Sequence, residues 1–216
     1  KLQSEYNADW RIFGRSTSDD KGPLAMLITA WDALVVQGGL TSGRIALVHA
    51  GASGVGTAGI QICKAIGAYV VVTCSAGKRD ACLALGADLA IDYKSSDFVE
   101  VALQATHGKG VNAILDVIGG EYLNRNVSAL ALKGTIVQVG LMGGGSTAFN
   151  IGALMPKRAR LMGTVLRPRP ADEKIAVTQR FIAEMMPLFA LVLTSVSAGA
   201  ATAPYAAAHF NRFTDY

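Results

Sequence analysis

The densest chemical signal in the chain is the run His49-Ala50-Gly51-Ala52-Ser53-Gly54-Val55-Gly56. Small residues at this spacing make a backbone that turns sharply and keeps side chains off its amides, as a pyrophosphate requires. Gly51 permits the turn, Ala52, Ser53 and Gly54 let the backbone approach the phosphates, and Gly56 allows a helix to pack close to a strand. A helix opening at Val55 would add free N–H donors and the positive end of its dipole. The dinucleotide fingerprint has Gly where Ser53 stands, so the match is a variant. A turn that serves packing alone would use the same letters, and only a strand before it and a helix after it separate the two readings.

Both flanks are present. A β-branched run ends at His49, and Val55, Gly59, Ile62, Cys63 and Ile66 recur at the spacing of one helical face before Gly67. The next β run ends in Cys74-Ser75-Ala76-Gly77-Lys78-Arg79. An acid here would accept from a ribose 2′-hydroxyl and repel a 2′-phosphate; a hydroxyl and two cations stand instead, which favours NADPH, with Ser75 and Lys78 as contacts. The plainer alternative is that Lys78 and Arg79 begin a solvated helix. Tyr93 follows a third strand, Val117-Ile118-Gly119-Gly120 a fourth and Gly140-Leu141-Met142-Gly143-Gly144-Gly145 a fifth, where small-residue loops let a nicotinamide lie against backbone. Asp116 is read as an acceptor for N–H groups of its own turn, and His49 and His107 as structural. No His, Ser or Cys pair emerges for covalent catalysis, so no catalytic residue is assigned. The isolated Cys63, Cys74 and Cys82 lack metal-ligand spacing, and no zinc is expected.

These turns need a scaffold. Strands are expected over residues 44–50, 69–74, 89–92, 113–117, 135–140 and 161–166, alternating with helices. One helix, around residues 79–85, ends at Gly86; another sets Leu123, Val127, Leu130 and Ala131 on one side before Gly134. The result is an α/β fold, a Rossmann-type doubly wound parallel sheet of six strands. With 216 residues, 51% of them hydrophobic, 17% charged and 24 of them Gly, the chain suits such a fold and not a disordered one. Residues 1–21 read as a polar extension, 22–190 as the nucleotide-binding domain and 191–216 as an Ala-rich tail. The stretch 185–196 is too short to cross a bilayer and reads as a buried helix. Three unpaired thiols fit a reducing compartment, so a cytoplasmic protein is expected. The net charge of +4 draws on Lys157, Arg158, Arg160, Arg167, Arg169 and Lys174, read as a solvated rim or, alternatively, as a basic face for RNA.

Thr29-Ala30-Trp31-Asp32-Ala33-Leu34, the glycine run, Leu85-Gly86-Ala87-Asp88, Ile91-Asp92-Tyr93-Lys94, Leu115-Asp116-Val117-Ile118-Gly119-Gly120 and Gly140-Leu141-Met142-Gly143-Gly144 together resemble the zinc-free, zeta-crystallin-like quinone oxidoreductases of the medium-chain dehydrogenase/reductase superfamily. The last segment is similar to the tumour-suppressor-inducible subgroup. The resemblance implies NADPH-dependent reduction of quinones or related conjugated carbonyls. It sets Thr29 near the nicotinamide, Ser53, Gly54 and Val55 at the pyrophosphate, Lys78 at the 2′-phosphate, Tyr93 at the adenine end, and Ile118, Leu141, Met142 and Gly143 around the nicotinamide. It also implies an N-terminal substrate domain, for which the residues before Gly22 are too few, so that domain is expected to be missing. The alternatives are a non-catalytic NADPH-binding module or an RNA binder. A homodimer is expected through pairing of the apolar edge strand 161–166 with its copy, and no membrane association is expected.

Overall fold

The computed structural model describes residues 17–198, with side chains from 22 to 189. Strands β1 (Ile45–Val48), β2 (Tyr69–Cys74), β3 (Leu89–Asp92), β4 (Val111–Asp116), β5 (Leu130–Gln138) and β6 (Arg160–Gly163) form one sheet in the order β3-β2-β1-β4-β5-β6. Every pairing is parallel. The order reverses between β1 and β4, which is the doubly wound Rossmann arrangement. Helices α1 (Thr17–Trp31), α2 (Gly54–Ala65), α3 (Arg79–Ala84), α4 (Phe98–Ala105), α5 (Tyr122–Ala129), α6 (Leu154–Lys157) and α7 (Ala171–Ala198) connect and cover it, and α1 runs on into a π-helical turn, Asp32–Gln37.

Strand side chains alternate between two buried faces. Ala46, Val48, Val70, Val72, Ala113, Leu115 and Val137 point into one core with Trp31, Leu34, Ile60, Ile62, Phe181 and Met185 from α1 and its π-helical turn, α2 and α7. Leu47, Val71, Ile114 and Ile136 point into the other, with Phe98, Ala102 and Val127 from α4 and α5. Burial on both faces accounts for the nearly unbroken apolar runs of the strands. After α2 and α3 the chain turns through Gly67 (φ +75°) and Gly86 (φ +105°), the left-handed positions that the sequence called for.

Several boundaries differ from the sequence reading. Leu130 and Ala131 are not the last turn of a helix: α5 ends at Ala129, the backbone at Leu130 is extended (φ −67°, ψ 145°), and both residues open β5. Gly134 therefore lies inside a strand, where the register jumps from Val111↔Leu130 to Ala113↔Thr135 and Lys133 takes φ +61°. The jump is a bulge, and apolar residues at its start fit a helical period as well as a strand. β6 covers Arg160–Gly163, not 161–166; Thr164 gives the last backbone bond, its N–H to Gln138 O at 2.9 Å, before Pro168 and Pro170 exclude further ladder donors. Helix α1 begins within the segment read as an extension, and α7 carries the chain to Ala198; the remainder of the tail lies outside the described residues. In the stretch read as a buried helix Met185 is buried, whereas Met186 is about half exposed, so α7 buries one side only. Among the described residues no helix is long and apolar enough to cross a membrane.

Candidate dinucleotide-binding site

Parallel strands bring their carboxyl ends to one edge, and the reversal between β1 and β4 opens a crevice there. The glycine turn leaves β1, Ser75 and Lys78 follow β2, Tyr93 follows β3, Ile118 follows β4 and Gly140 to Gly143 follow β5. The topology thus gathers these sequence-derived site residues along one edge.

The glycine turn is built differently from the reading of its letters. Ala50, not Gly51, takes the left-handed backbone (φ +52°). It is held there by its N–H to Thr73 Oγ1 at 3.3 Å and by Gly51 N–H to Thr73 O at 2.8 Å. Gly51 is required for a second reason: a Cβ on it would stand 2.6 Å from Val72 Cβ. Gly56 matches its expected role, because a Cβ there would strike Ala50 O and the backbone of Gly51. Ser53 does more than stay small. As N-cap of α2 its Oγ accepts the Gly56 N–H at 3.1 Å, while Thr57 N–H reaches Ser53 O at 2.8 Å. Among the described residues nothing outside α2 accepts from the N–H groups of Gly54 and Val55, which leaves this pair for an anion at the helix start. The space beside Gly54 is taken by the thioether of Met26, the flexible end of a side chain from α1. Thr29, half-buried, is three residues along from Met26 and so on the same side of α1. Ala52 on the loop and Val55 in the first turn of α2 are half-buried.

Beyond β2, Ser75 is half-buried and Lys78 exposed at the end of the 3-10 turn Ala76–Lys78, tied by Lys78 N–H to Ser75 O at 2.9 Å. Arg79 is not available in the same way, because its Nε donates to Ala90 O at 3.1 Å on β3. The carboxylate of Asp92 is occupied by the Ser95 hydroxyl at 2.8 Å and Lys94 N–H at 3.2 Å. These bonds, with the charges of Lys94 and Arg79 nearby, hold it below the usual carboxylate range. Tyr93 is exposed, its N–H bonded to Cys74 O at 3.2 Å.

The loops after β4 and β5 are strapped together. Met142 N–H bonds Val117 O at 3.0 Å and Gly143 N–H bonds Ile118 O at 2.7 Å. Gln138 Nε2 donates to Asp116 O at 3.1 Å and to Gly140 O at 2.6 Å. Ile118 is half-buried, whereas Leu141 and Met142 are 58% and 75% exposed, so this loop presents two apolar side chains at the surface. A cleft lined by Gly119, Gly120, Leu123, Gln138, Leu141 and Met162 opens beside this strap.

Asp116 does what its sequence context implied: Oδ1 accepts the N–H groups of Ile118 at 2.6 Å and Gly119 at 3.0 Å. Its other oxygen accepts from Asn126 Nδ2 at 2.9 Å, and Asn126 Oδ1 meets His49 Nε2 at 2.7 Å. His49 is fully buried, and burial holds its imidazole below the usual range against the pull of nearby Asp116. Neither Thr73 nor Asn126 stood out in the sequence, since Thr73 is a lone polar residue in an apolar run and Asn126 is one of several polar residues beside Asn124, Arg125 and Ser128.

The cations read as a rim divide. Arg169 pairs with buried Asp32 and bonds Thr164 Oγ1, and Lys157 Nζ donates to Ser128 O and Leu130 O, both at 2.6 Å. Burial lowers the Lys157 pKa. These two serve the fold; Arg158, Arg160 and Arg167 remain exposed.

The three cysteines are buried, and burial pushes the thiols of Cys63 and Cys82 up to about 12. Among the described residues no group of three or more His, Cys, Asp or Glu side chains could hold a metal ion, so zinc has no ligand set in this part of the chain. The chemistry present suits a dinucleotide instead: the Gly54 and Val55 amides could take a phosphate once the Met26 thioether yields.

Comparison with known proteins gives the same fold. The chain is 37% identical over 114 residues to a phenolphthiocerol/phthiocerol polyketide synthase of Mycobacterium tuberculosis, a match over 52% of this chain and 5% of the synthase polypeptide. The crystallised nucleotide-binding subdomain of the enoylreductase domain of PpsC from Mycobacterium tuberculosis superposes with a TM-score of 0.61 at 28% identity, covering 82% of this chain and 95% of that one. A quinone oxidoreductase of Pseudomonas syringae pv. Tomato superposes with a TM-score of 0.67 at 26% identity, covering 84% of this chain and 56% of that one. This chain thus spans about 5% of the polyketide synthase's length and 56% of the quinone oxidoreductase's, and nearly all of the PpsC subdomain. The family model described as zinc-binding dehydrogenase matches residues 54–183, from the start of α2 into α7, and the chain belongs to that family, within the medium-chain dehydrogenase/reductase superfamily.

Proposed function

We propose that the chain is the NADPH-binding part of a zinc-independent, quinone-oxidoreductase-like enzyme that reduces quinones or related conjugated carbonyls. The observation that carries this reading is the edge of the sheet itself: two free amides at the start of α2, Ser75 and Lys78 with no acid between them, and an apolar strap at residues 140–145. Bound NADPH would supply the hydride. The chain's own residues would bind and orient it. Gly54 and Val55 would donate to the pyrophosphate, and Ser53 would fix that helix start. Ser75 and Lys78 would hold the 2′-phosphate, and Tyr93 would flank the adenine. Ile118, Gly140, Leu141, Met142, Gly143 and Thr29 would border the nicotinamide. The crevice contains no assigned acid or nucleophile.

The similarity to polyketide-synthase enoyl reductase subdomains favours a second substrate within the same chemistry, an enoyl thioester, since both reactions deliver hydride to a carbon conjugated to a carbonyl. Fluorescence titration with NADPH and NADH, followed by turnover on a simple quinone and on an enoyl thioester, tests the proposal. Micromolar NADPH binding with quinone turnover is expected; absence of binding to either dinucleotide sinks it. Binding without turnover on either acceptor would identify a cofactor module. We further propose a cytoplasmic homodimer in which β6 pairs with its copy, and no RNA binding, since Lys157 and Arg169 are engaged within the fold.

A further inference from the structure

We propose that His49 and Asn126 are positioning residues for the cofactor, links in a hydrogen-bond relay, directed onto Asp116 from both ends, that sets the turn after β4 against the glycine turn after β1. The inference rests on the cofactor reading above. Its direction follows from donor and acceptor chemistry. Asp116 receives Ile118 N–H, Gly119 N–H and Asn126, so it acts only as an acceptor and Asn126 must present its NH2. The Asn126 carbonyl oxygen then faces His49 Nε2 at 2.7 Å, and that nitrogen must carry the proton. Burial keeps the ring neutral, so Nδ1 is an acceptor, and its partner at 3.1 Å is the Thr73 hydroxyl. Thr73 Oγ1 in turn accepts Ala50 N–H at 3.3 Å, at the left-handed residue of the glycine turn.

The relay thus runs from Ala50 through Thr73, His49, Asn126 and Asp116 to the amides of Ile118 and Gly119. It crosses the carboxyl ends of β2, β1 and β4, through Thr73, His49 and Asp116. Around the imidazole stand the rings of Phe98 and Tyr122, edge-on at 4.9 and 5.0 Å. The Arg125 guanidinium lies over Phe98 at 4.3 Å. With apolar edges on its flanks, the ring has no water to replace a lost partner. Cutting the relay at Asn126 leaves Asp116 Oδ2 without its buried partner and so loosens the nicotinamide-side turn, while the glycine turn stays anchored by Thr73.

Two measurements test this. Titration of Asn126→Ala with NADPH and with 2′-phospho-ADP-ribose, which lacks the nicotinamide, should show about tenfold weaker NADPH binding and less than about a twofold change for the fragment. Equal loss for both ligands, or loss for neither, would overturn the relay's positioning role. If wild type binds neither ligand, the cofactor reading fails, and the relay is still tested by 15N NMR of histidine. Wild-type His49 should be neutral with its proton on Nε2. In Asp116→Asn the new amide can keep its oxygen on the turn and donate to Asn126, which then donates to Nε2, so the proton should move to Nδ1 with the fold kept. A wild-type ring protonated on Nδ1, or a variant in which the tautomer stays put, would refute the directed relay.

Discussion

Lys78 and Gly54 carry the two residue-level tests of the site. Lys78 has no side-chain bond among the described residues and follows Ser75 at the end of β2, whereas its neighbour Arg79 is spent on Ala90 O. Lys78→Ala should therefore weaken NADPH by about tenfold and leave NADH unchanged, because only the former has the 2′-phosphate; equal weakening in parallel titrations would remove Lys78 from that role. Gly54→Val should abolish binding of both dinucleotides while the protein stays folded, since the new side chain displaces only the thioether of Met26. Gly56→Ala meets backbone instead, so it should lower the melting temperature as well. A Gly54→Val protein with unchanged affinity would mean that the loop is a packing turn. His49 offers a pH test. Its folded-state pKa is lowered by burial, with Asp116, Arg125 and Tyr122 around it. The unfolded chain then binds the proton first, and stability that is complete above about pH 6.5 is lost as the pH falls below it. Melting temperature should drop between pH 7 and 5.5, and the drop should shrink in His49→Gln; identical slopes in the two proteins would contradict it.

Secondary-structure elements were legible wherever one period dominated. The strands alternate between two apolar cores and the helices end on Gly67 and Gly86, so their sequence patterns have a single solution. Leu130 and Ala131 satisfy either period, and only the bulge at Lys133 and Gly134 decides for strand. The glycine turn was legible as a turn but not in its mechanism: which residue goes left-handed depends on Thr73, a residue from another strand. The Asp32–Arg169 pair lies further beyond any local pattern, joining residues 137 apart. It pins the loop after β6 to the end of α1, with the Asp32 side chain only 4% exposed and that of Arg169 17%. Asp32→Ala should cost about 2 to 4 kcal/mol, as expected for leaving one partner of a largely buried pair alone. Urea unfolding measures this, and a cost under about 0.5 kcal/mol would class the pair with surface ion pairs.

At the scale of the whole molecule, sheet order follows from topology, but what covers its rim does not. β6 lies at one end of the order, and its side chains are largely exposed, Leu161 at 40%. An edge of this kind either pairs or aggregates unless something covers it. Thr164 N–H points to β5, so alternation along a parallel strand turns the N–H groups of Leu161 and Gly163 outward, toward the proposed copy. Val165 lies past the end of the ladder, so a proline there would not probe pairing. Leu161→Pro is the sharper test, because it removes one outward donor and spares the bonds to β5. Sedimentation of wild type at micromolar concentration should show a dimer and the variant a folded monomer. A monomeric wild type would reject β6 as a self-pairing edge, and a variant that remains dimeric would move the two-fold contact to another surface.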